Sequence, residues 1–184
     1  MSKGLIIIDI QNDYFPNGKM ELSQPDKAAA TAAKILEWFR QNENETIYHI
    51  QHVAHAPELG FFLPDTEGVH IHHTVSPKEN EIVIQKHFPN SFLQTELESK
   101  LKEKGVTQLV IVGMMTHMCI DATVRAAVDL GFETTLIEDA CATKELAYED
   151  KTVPAEQVHH AFIGALNGMY ARVMSAETFL KENQ

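Results

Sequence analysis

Three side chains of complementary chemistry stand at the ends of short apolar runs in the sequence. Asp9 closes the first run, Lys86 closes the third, and Cys119 follows the fourth. A thiol becomes a strong nucleophile when it loses its proton, a carboxylate can take that proton, and an ammonium group can stabilise the negative charge. The combination predicts nucleophilic catalysis.

Each residue alone also has an ordinary structural explanation. An aspartate after a strand commonly caps a turn, a lysine at a strand end is usually solvated, and a lone cysteine is usually a small buried hydrophobe. Together, however, a helix N-terminus and a nearby ammonium group would favour the thiolate form of Cys119. Backbone amides in the turn at residues 113–119 could also form an oxyanion hole.

Apolar runs alternate with amphipathic segments along the chain, which predicts alternating strands and helices. The predicted strands are residues 4–10, 46–51, 81–86, 108–113, 133–137 and 171–174, and the predicted helices are 26–42, 92–104, 119–130, 154–166 and a last one from 176. This alternation favours an α/β fold with a parallel sheet and helices on both faces. Ligands bind beyond the carboxyl ends of such strands. If strands one, three and four are neighbours, the three side chains meet in one crevice.

The composition limits the kinds of partner. A chain of 184 residues suits one domain, residues 1–184, and its formal net charge of −11 argues against nucleic acid and anionic membranes. No apolar run is long enough to span a bilayer, and the N-terminus does not resemble a signal peptide. With only two cysteines, both expected as thiols, a cytoplasmic location is predicted.

Four blocks of sequence carry a resemblance to a known family. They are residues 8–15 (IDIQNDYF), 83–92 (VIQKHFPNSF), 112–127 (VGMMTHMCIDATVRAA) and 139–143 (DACAT). In these contexts the order Asp, Lys, Cys resembles the isochorismatase-like cysteine hydrolases, which include nicotinamidases, N-carbamoylsarcosine amidohydrolases and streptothricin hydrolase. The resemblance extends over nearly the whole chain.

The resemblance implies a three-layer α/β/α fold and a triad of Asp9, Lys86 and Cys119. Asp9 would take the thiol proton, pass it to the leaving amine and later activate water, while Cys119 forms a thioester. Lys86 would stabilise negative charge. The oxyanion-hole amides would be those of Met115 and Cys119, with a cis peptide bond before Met115.

One family motif is broken in this chain. Nicotinamidases of the family carry an Asp-x-His metal motif after the second strand, but residues 50–55 read IQHVAH and contain no aspartate. The chain is therefore expected to have no metal and no cofactor. His52 and His55 are predicted instead to line the pocket and bind substrate.

The remaining substrate-binding candidates lie close to the triad or in the unpatterned segment at residues 52–80. They are Gln11, which could bind substrate or order the turn after Asp9, and four aromatic residues that could form an apolar wall or plain core: Phe15, Phe61, Phe62 and Phe88. The substrate itself is expected to be a small molecule.

Three functions remain open from the sequence. The leading hypothesis is a cysteine hydrolase that cleaves a C–N bond of a small amide, lactam or ureido compound through a thioester. The second is an isochorismatase-type hydrolysis of a vinyl ether, with Asp9 as general acid and no covalent step. The third is a non-catalytic module that binds a metal or partner through its histidines. Family members commonly form dimers or tetramers, so a homodimer or homotetramer is expected.

Overall fold

A twisted parallel sheet forms the centre of the computed structural model, which describes residues 2–42 and 45–183. The strands are β1 (Ser2–Ile8), β2 (Thr46–His52), β3 (Ile82–Lys86), β4 (Val106–Met114), β5 (Glu133–Ala142), β6 (Leu146–Tyr148), β7 (Lys151–Val153) and β8 (Arg172–Met174). Six of them lie in the order β3-β2-β1-β4-β5-β8, with every neighbouring pair parallel, whereas β6 and β7 form a separate antiparallel hairpin. The predicted α/β class is confirmed.

Five helices cover the two faces of this sheet. They are α1 (Pro25–Arg40), α2 (Leu97–Glu103), α3 (Asp121–Asp129), α4 (Ala155–Leu166) and α5 (Ala176–Glu182). Residues of α1 and α5 belong to the core on one face, and residues of α2, α3 and α4 belong to the core on the other. The three layers implied by the family resemblance are therefore present.

The apolar sequence of β1 follows from its central position. Leu5 and Ile7 point into the core beside α1, while Ile6 and Ile8 point into the opposite core. All four are almost completely buried. A parallel strand with helices on both faces has no solvent side, so it carries no alternation of polar and apolar residues. Each such side chain contributes about 1.5–3 kcal/mol of burial.

The order of the strands differs from the expected one. The structure places β2 between β1 and β3, so the third strand is not adjacent to the first. Lys86 must therefore extend across the end of β2 to meet Asp9. Sequence patterns give the positions of the strands but not their neighbours, because the periodicity of a crossover helix does not show to which side of the preceding strand the chain returns.

Two predicted helices begin later than expected. The helix predicted from residue 92 begins at Leu97, because the preceding residues form side-chain-stabilised turns: Asn90 accepts from the N–H of Phe92, and Thr95 donates to the carbonyl of Ser91. The helix predicted from residue 119 is α3, which begins at Asp121 after a turn of π-helix at Thr116–Ile120. The strand predicted to end at 137 is β5, which continues to Ala142.

The long segment predicted to lack a period contains three short 3-10 turns, at Pro57–Leu59, Glu67–Val69 and His73–Val75. Within the described parts of the chain, no helix has the length and apolar character needed to cross a bilayer.

Candidate active site

Asp9 is the first residue after β1 and is completely buried. Its φ angle of 51° is in the left-handed region, although its N–H still donates to the carbonyl of Ile50 at 3.1 Å. The strand thus ends at Asp9 while the backbone remains anchored to β2. Left-handed φ angles are uncommon outside glycine, and here the turn places a carboxylate at the carboxyl edge of the sheet.

Lys86 is the last residue of β3 and is also completely buried. Its Nζ lies 2.8 Å from Oδ2 of Asp9 and donates to the carbonyls of Phe88 and Pro89 at 3.1 and 3.0 Å. Burial is the largest single influence and lowers the pKa of Lys86, but the charges of Asp9 and Cys119 and the hydrogen bonds to both together raise it more, so the net shift is upward. Lys86 is therefore a fixed ammonium ion.

Cys119 lies in the π-helical turn that follows β4. The turn begins after a cis peptide bond between Met114 and Met115, as the family resemblance implied. Gly113 is required just before it: its φ is 134°, and a Cβ at this position would lie 2.0 Å from the carbonyl oxygen of Ile8. The close approach of β4 to β1 at Gly113 brings the turn next to Asp9.

The protonation state of Cys119 differs from the expectation. The sequence favoured a thiolate, but the thiol is buried, and burial together with the charge of Asp9 raises its pKa well above the ordinary value. Lys86 lowers the pKa only in part. The resting site therefore holds a neutral thiol beside a carboxylate and an ammonium ion, and it needs a base.

His52 completes this cluster from the end of β2. Its Nδ1 lies 3.4 Å from Nζ of Lys86 and 3.9 Å from Oδ2 of Asp9. The pKa of His52 is lowered to about 4, chiefly by burial. The negative charge of Asp9 opposes this shift, and the positive charge of Lys86 adds to it. The ring is neutral near pH 7, so its Nδ1 can accept a hydrogen bond from the ammonium group.

The Asp9 carboxylate has unused hydrogen-bonding capacity. Both oxygens are buried and accept no hydrogen bond of regular geometry among the described residues; Oδ2 meets Nζ of Lys86 as an ion pair at 2.8 Å, and Oδ1 has no such partner. Ligand atoms of Asp9, His52 and Cys119 all lie within 4.8 Å of one another. These three could in principle hold a metal ion, but the ammonium group of Lys86 in the same space opposes a cation. The arrangement is better suited to accepting a proton from the thiol.

Comparison with known proteins identifies the family. The isochorismatase domain matches residues 3–178. The isochorismatase family protein YddQ of Bacillus subtilis is 58% identical over 98% of this chain and 100% of its own length. The chain belongs to the isochorismatase family.

A solved structure and a relative with a named reaction extend the comparison. The crystal structure of an isochorismatase hydrolase from Oleispira antarctica is 45% identical and superposes with a TM-score of 0.93, over 97% of this chain and 96% of the other. Escherichia coli nicotinamidase is 23% identical over 88% of this chain and 89% of its own length. The family thus includes a relative named as an amidase.

Gln11 lies beside the triad of this isochorismatase-family chain, but its amide is occupied by backbone groups. Nε2 donates to the carbonyls of His52 and Val69 at 2.9 and 2.7 Å, and Oε1 accepts from the N–H of His52 at 2.8 Å. Of its two predicted roles, these contacts favour ordering the turn.

The four aromatic residues predicted to form a wall fall into two groups, a buried pair in the core and a partly exposed pair, which we call the rim. Phe62 is completely buried and packs 4.6 Å from the ring of Tyr14, and Phe15 is buried with its ring stacked 3.6 Å from His72. Phe61 packs partly buried against Phe62 at 4.9 Å.

The other rim residues lie beside Lys86. Phe88 supplies a carbonyl to the ammonium group, and its ring meets His55 edge-on at 5.7 Å. His55 is exposed and stacks on His87 at 4.4 Å. His55, Phe88 and Phe61 are thus the candidates that retain some exposure.

The sequence analysis missed two residues of the first block. Tyr14 is buried, and burial followed by the charges of Cys119 and Asp9 raises its pKa. Asp13 accepts from the N–H groups of Lys19 at 3.0 Å and Phe62 at 2.6 Å. A tyrosine and an aspartate in a turn have common structural roles, so neither gave a functional signal.

Cys141 offers a useful contrast to Cys119. Its thiol is buried near the end of β5 and donates to the carbonyl of Ile137 at 3.4 Å. Burial raises its pKa to about 12. In the described structure its side chain forms no hydrogen bond with a basic side chain. This agrees with the structural role expected from the sequence.

Proposed function

We propose that the protein is a cysteine hydrolase that cleaves a C–N bond of a small amide, lactam or ureido compound through a thioester on Cys119. The observation that carries this proposal is the neutral thiol of Cys119 within reach of Asp9, whose Oδ1 has no donor in the described structure. A buried carboxylate with one oxygen held by an ammonium group and the other free is suited to take a proton from an adjacent thiol.

The first half of the reaction forms the acyl-enzyme. The Cys119 thiol proton moves to Asp9 as Sγ attacks the substrate carbonyl carbon, and the carbonyl π electrons move to oxygen. The N–H groups of Met115 and Cys119 donate to this oxyanion, a type of contact worth about 3–4 kcal/mol per donor in studied hydrolases. The C–N bond then breaks, and Asp9 returns its proton to the leaving nitrogen.

The second half releases the acid. Asp9 takes a proton from a water molecule whose oxygen attacks the thioester carbon, the C–S bond breaks, and the proton returns to Sγ. Lys86 keeps its proton throughout, because its ion pair with Asp9 and its two backbone acceptors favour the charged form. The net reaction converts an amide and water to an acid and an amine.

A small substrate agrees with the dimensions of the cluster. Asp9, Lys86 and Cys119 are all buried, so only a group of a few atoms can reach them without displacing the surrounding turns. His52, which is neutral, can exchange hydrogen bonds with the substrate, and Phe61, Phe88 and His55 border the approach. The nicotinamidase relative is named for an amide substrate.

We also propose that the protein forms a homodimer or homotetramer through α4. This helix exposes Ala161, Gly164 and Ala165, and the following turn carries Met169, which is 78% exposed. Large exposed apolar side chains beside small residues are suited to close helix contact. Sedimentation of the wild-type chain and of Ala165→Glu tests this: the variant should be monomeric, and an unchanged oligomer would place the interface elsewhere. The single domain, the cytoplasmic location and the absence of a resident metal remain predictions.

Intact-protein mass spectrometry tests the main proposal. The protein is incubated with a panel that contains nicotinamide, small lactams, ureido compounds and isochorismate, with Cys119→Ala and Cys141→Ala in parallel. An acyl adduct on wild type and on Cys141→Ala, but not on Cys119→Ala, supports it. Isochorismate consumption by all three proteins without an adduct would contradict it in favour of vinyl ether hydrolysis with Asp9 as acid.

A further inference from the structure

A line of polar side chains runs from β5 through α4 to the turn that carries Cys119. Thr116, completely buried in the turn, has its Oγ1 3.0 Å from Nδ1 of His159 on α4. On the other side of that imidazole, Nε2 of His159 lies 3.7 Å from a carboxylate oxygen of Glu138 on β5. The three groups connect β5 and α4 to the turn.

The chemistry of His159 decides the direction of these contacts. Burial lowers the pKa of His159 more than Glu138 raises it, so the ring is neutral near pH 7. The nearby carboxylate favours the proton on Nε2, which leaves Nδ1 as an acceptor for the hydroxyl of Thr116. Thr116 therefore has one fixed hydroxyl orientation.

Thr116 lies between the two proposed oxyanion donors in the chain. It directly follows Met115 and precedes Cys119 by three residues. The carbonyl of Met115 accepts from the N–H groups of Met118 and Ile120 at 3.0 and 3.2 Å, so the turn is a compact hydrogen-bonded unit. A shift of Thr116 would consequently move the amides of Met115 and Cys119.

We propose that His159 is a positioning residue that acts through Thr116 to hold the Met115 and Cys119 amides at the place where the oxyanion develops. The inference rests on the proposed function, since it assumes an acyl-transfer transition state at Cys119. Within the described chain, no hydrogen bond joins α4 to the triad. The inference nevertheless gives this helix a role in the rate of the chemical step.

Two reactions of the same thiol separate positioning from general structural support. Acylation of Cys119 by 4-nitrophenyl acetate passes through a tetrahedral oxyanion, whereas alkylation by iodoacetamide displaces iodide and forms no oxyanion at a carbonyl. A displaced oxyanion donor should slow only the first reaction. Both rates are measured by mass spectrometry on wild type, with Cys119→Ala as the blank.

The variants remove or restore the hydrogen bond between the Thr116 hydroxyl and Nδ1 of His159. Thr116→Val and His159→Phe delete the hydrogen bond while retaining bulk, and Thr116→Ser and His159→Asn restore it, because the Asn side-chain oxygen can take the place of Nδ1. His70→Phe is the matched control, since His70 is exposed and its ring meets Glu67 and not the turn at Thr116. The double variant Thr116→Val/His159→Phe tests whether the two side chains act as one unit.

The inference predicts that Thr116→Val and His159→Phe each slow acylation by about tenfold to a hundredfold, as small displacements of catalytic groups do. The rate of alkylation by iodoacetamide should stay within about twofold of wild type in every variant. The double variant should be acylated no more slowly than either single variant, and Thr116→Ser and His159→Asn should restore the rate of acylation. Equal loss in both reactions, or no loss in either, would overturn the inference while leaving Cys119 as the nucleophile. If wild type neither acquires an acetyl group on Cys119 nor releases 4-nitrophenol faster than Cys119→Ala, the proposed function and this inference both fail.

Discussion

Strand β3 has a buried carboxylate cluster near each of its ends, and the two clusters differ in how their oxygens are used. Before β3, Glu81 accepts from Nε and Nη2 of Arg40 at 2.7 and 3.0 Å, from Nε2 of His49 at 2.8 Å and from the N–H of Lys78 at 3.0 Å. Its side chain is 3% exposed. We call these residues the Glu81 cluster.

After β3, Asp9, Lys86, Cys119 and His52 form the cluster to which we assign the proposed catalysis, and we call it the catalytic cluster. There the Asp9 carboxylate has one ammonium partner on Oδ2 and no donor on Oδ1 within the described chain. A saturated carboxylate holds its charge and fixes its neighbours, whereas an unsaturated buried one retains the capacity to take a proton. The comparison indicates that the Glu81 cluster stabilises the fold and that the catalytic cluster gives up stability for reactivity.

Removal of the nucleophile should give the largest effect. Cys119→Ala is expected to lower turnover by on the order of 10⁴-fold or more, because the covalent route is lost. The matched control is Cys141→Ala, which removes the other buried thiol and should retain activity. Turnover assays with the substrate found in the adduct screen give the measurement, and equal activity of the two variants would contradict the account.

Neutral replacements of the two carboxylates should have opposite consequences. Asp9→Asn is expected to lower turnover by about 10²–10⁴-fold, the usual contribution of a general acid–base group. It should also lower the free energy of unfolding, because buried Lys86 then faces a neutral amide, but by less than Glu81→Gln, because Asp9 has a single ion-pair partner and Lys86 keeps the carbonyls of Phe88 and Pro89.

Glu81→Gln should instead retain turnover and lower the free energy of unfolding by about 3 kcal/mol, since Arg40 then faces a neutral amide. Turnover and the free energy of unfolding in urea are measured for both Asp9→Asn and Glu81→Gln and compared. A stability loss for Asp9→Asn that exceeds the loss for Glu81→Gln would break the distinction between the clusters.

Replacement of the ammonium group tests how Lys86 acts. Lys86→Met should lower turnover by roughly 10²-fold, as the loss of one electrostatic stabiliser does. It should also raise the pKa of Cys119 further, since Lys86 is the group that lowers it. The pH dependence of iodoacetamide alkylation measures this pKa, and an unchanged value would show that Lys86 does not act on the thiol.

The smallest expected effect is the change in the free energy of unfolding with pH in acid, and it should arise from Glu81. Burial tends to raise the pKa of Glu81, but the hydrogen bonds from Arg40, Lys78 and His49 outweigh it and lower the pKa from 4.5 to about 2. A carboxyl group whose pKa is lower in the folded state stabilises the fold fully above its unfolded pKa and loses that contribution as the pH falls.

The stability difference between wild type and Glu81→Gln should therefore be constant above about pH 5 and shrink between about pH 4.5 and 2. Urea unfolding of both proteins across this range measures it. A difference that grows on acidification would have the wrong sign for a carboxyl group with a lowered pKa.

The sequence predicted the fold class and the residues of the catalytic cluster, for identifiable physical reasons. A parallel strand buried on both faces produces an uninterrupted apolar run, so β1 and β4 were evident, although β1 ends at Ile8 and not at residue 10. Strand β3 lies at the edge of the sheet with alternating burial, and its predicted end at Lys86 is confirmed. The cis peptide bond before Met115 came from the family resemblance, since no local property of two methionines indicates it.

Other features could not be predicted because they depend on tertiary contacts. The position of β2 between β1 and β3 has no local signature, and the raised pKa of Cys119 depends on burial that only the packed structure provides. Thr116 and His159 are distant in sequence, and each has an ordinary explanation alone. The substrate-binding residues stay predictions: Phe15 and Phe62 lie in the core, and His55, Phe61 and Phe88 retain some exposure.

The central claim is that Asp9 takes the proton of a neutral Cys119, and the most direct test is the pKa of that thiol in Asp9→Asn. It is measured from the pH dependence of alkylation by iodoacetamide and compared with turnover. The account predicts that this pKa falls in the variant, because a charge that raises it is gone while Lys86 remains, so that alkylation near neutral pH becomes faster as turnover is lost. A thiol pKa that stays unchanged or rises, with turnover retained, would contradict the claim.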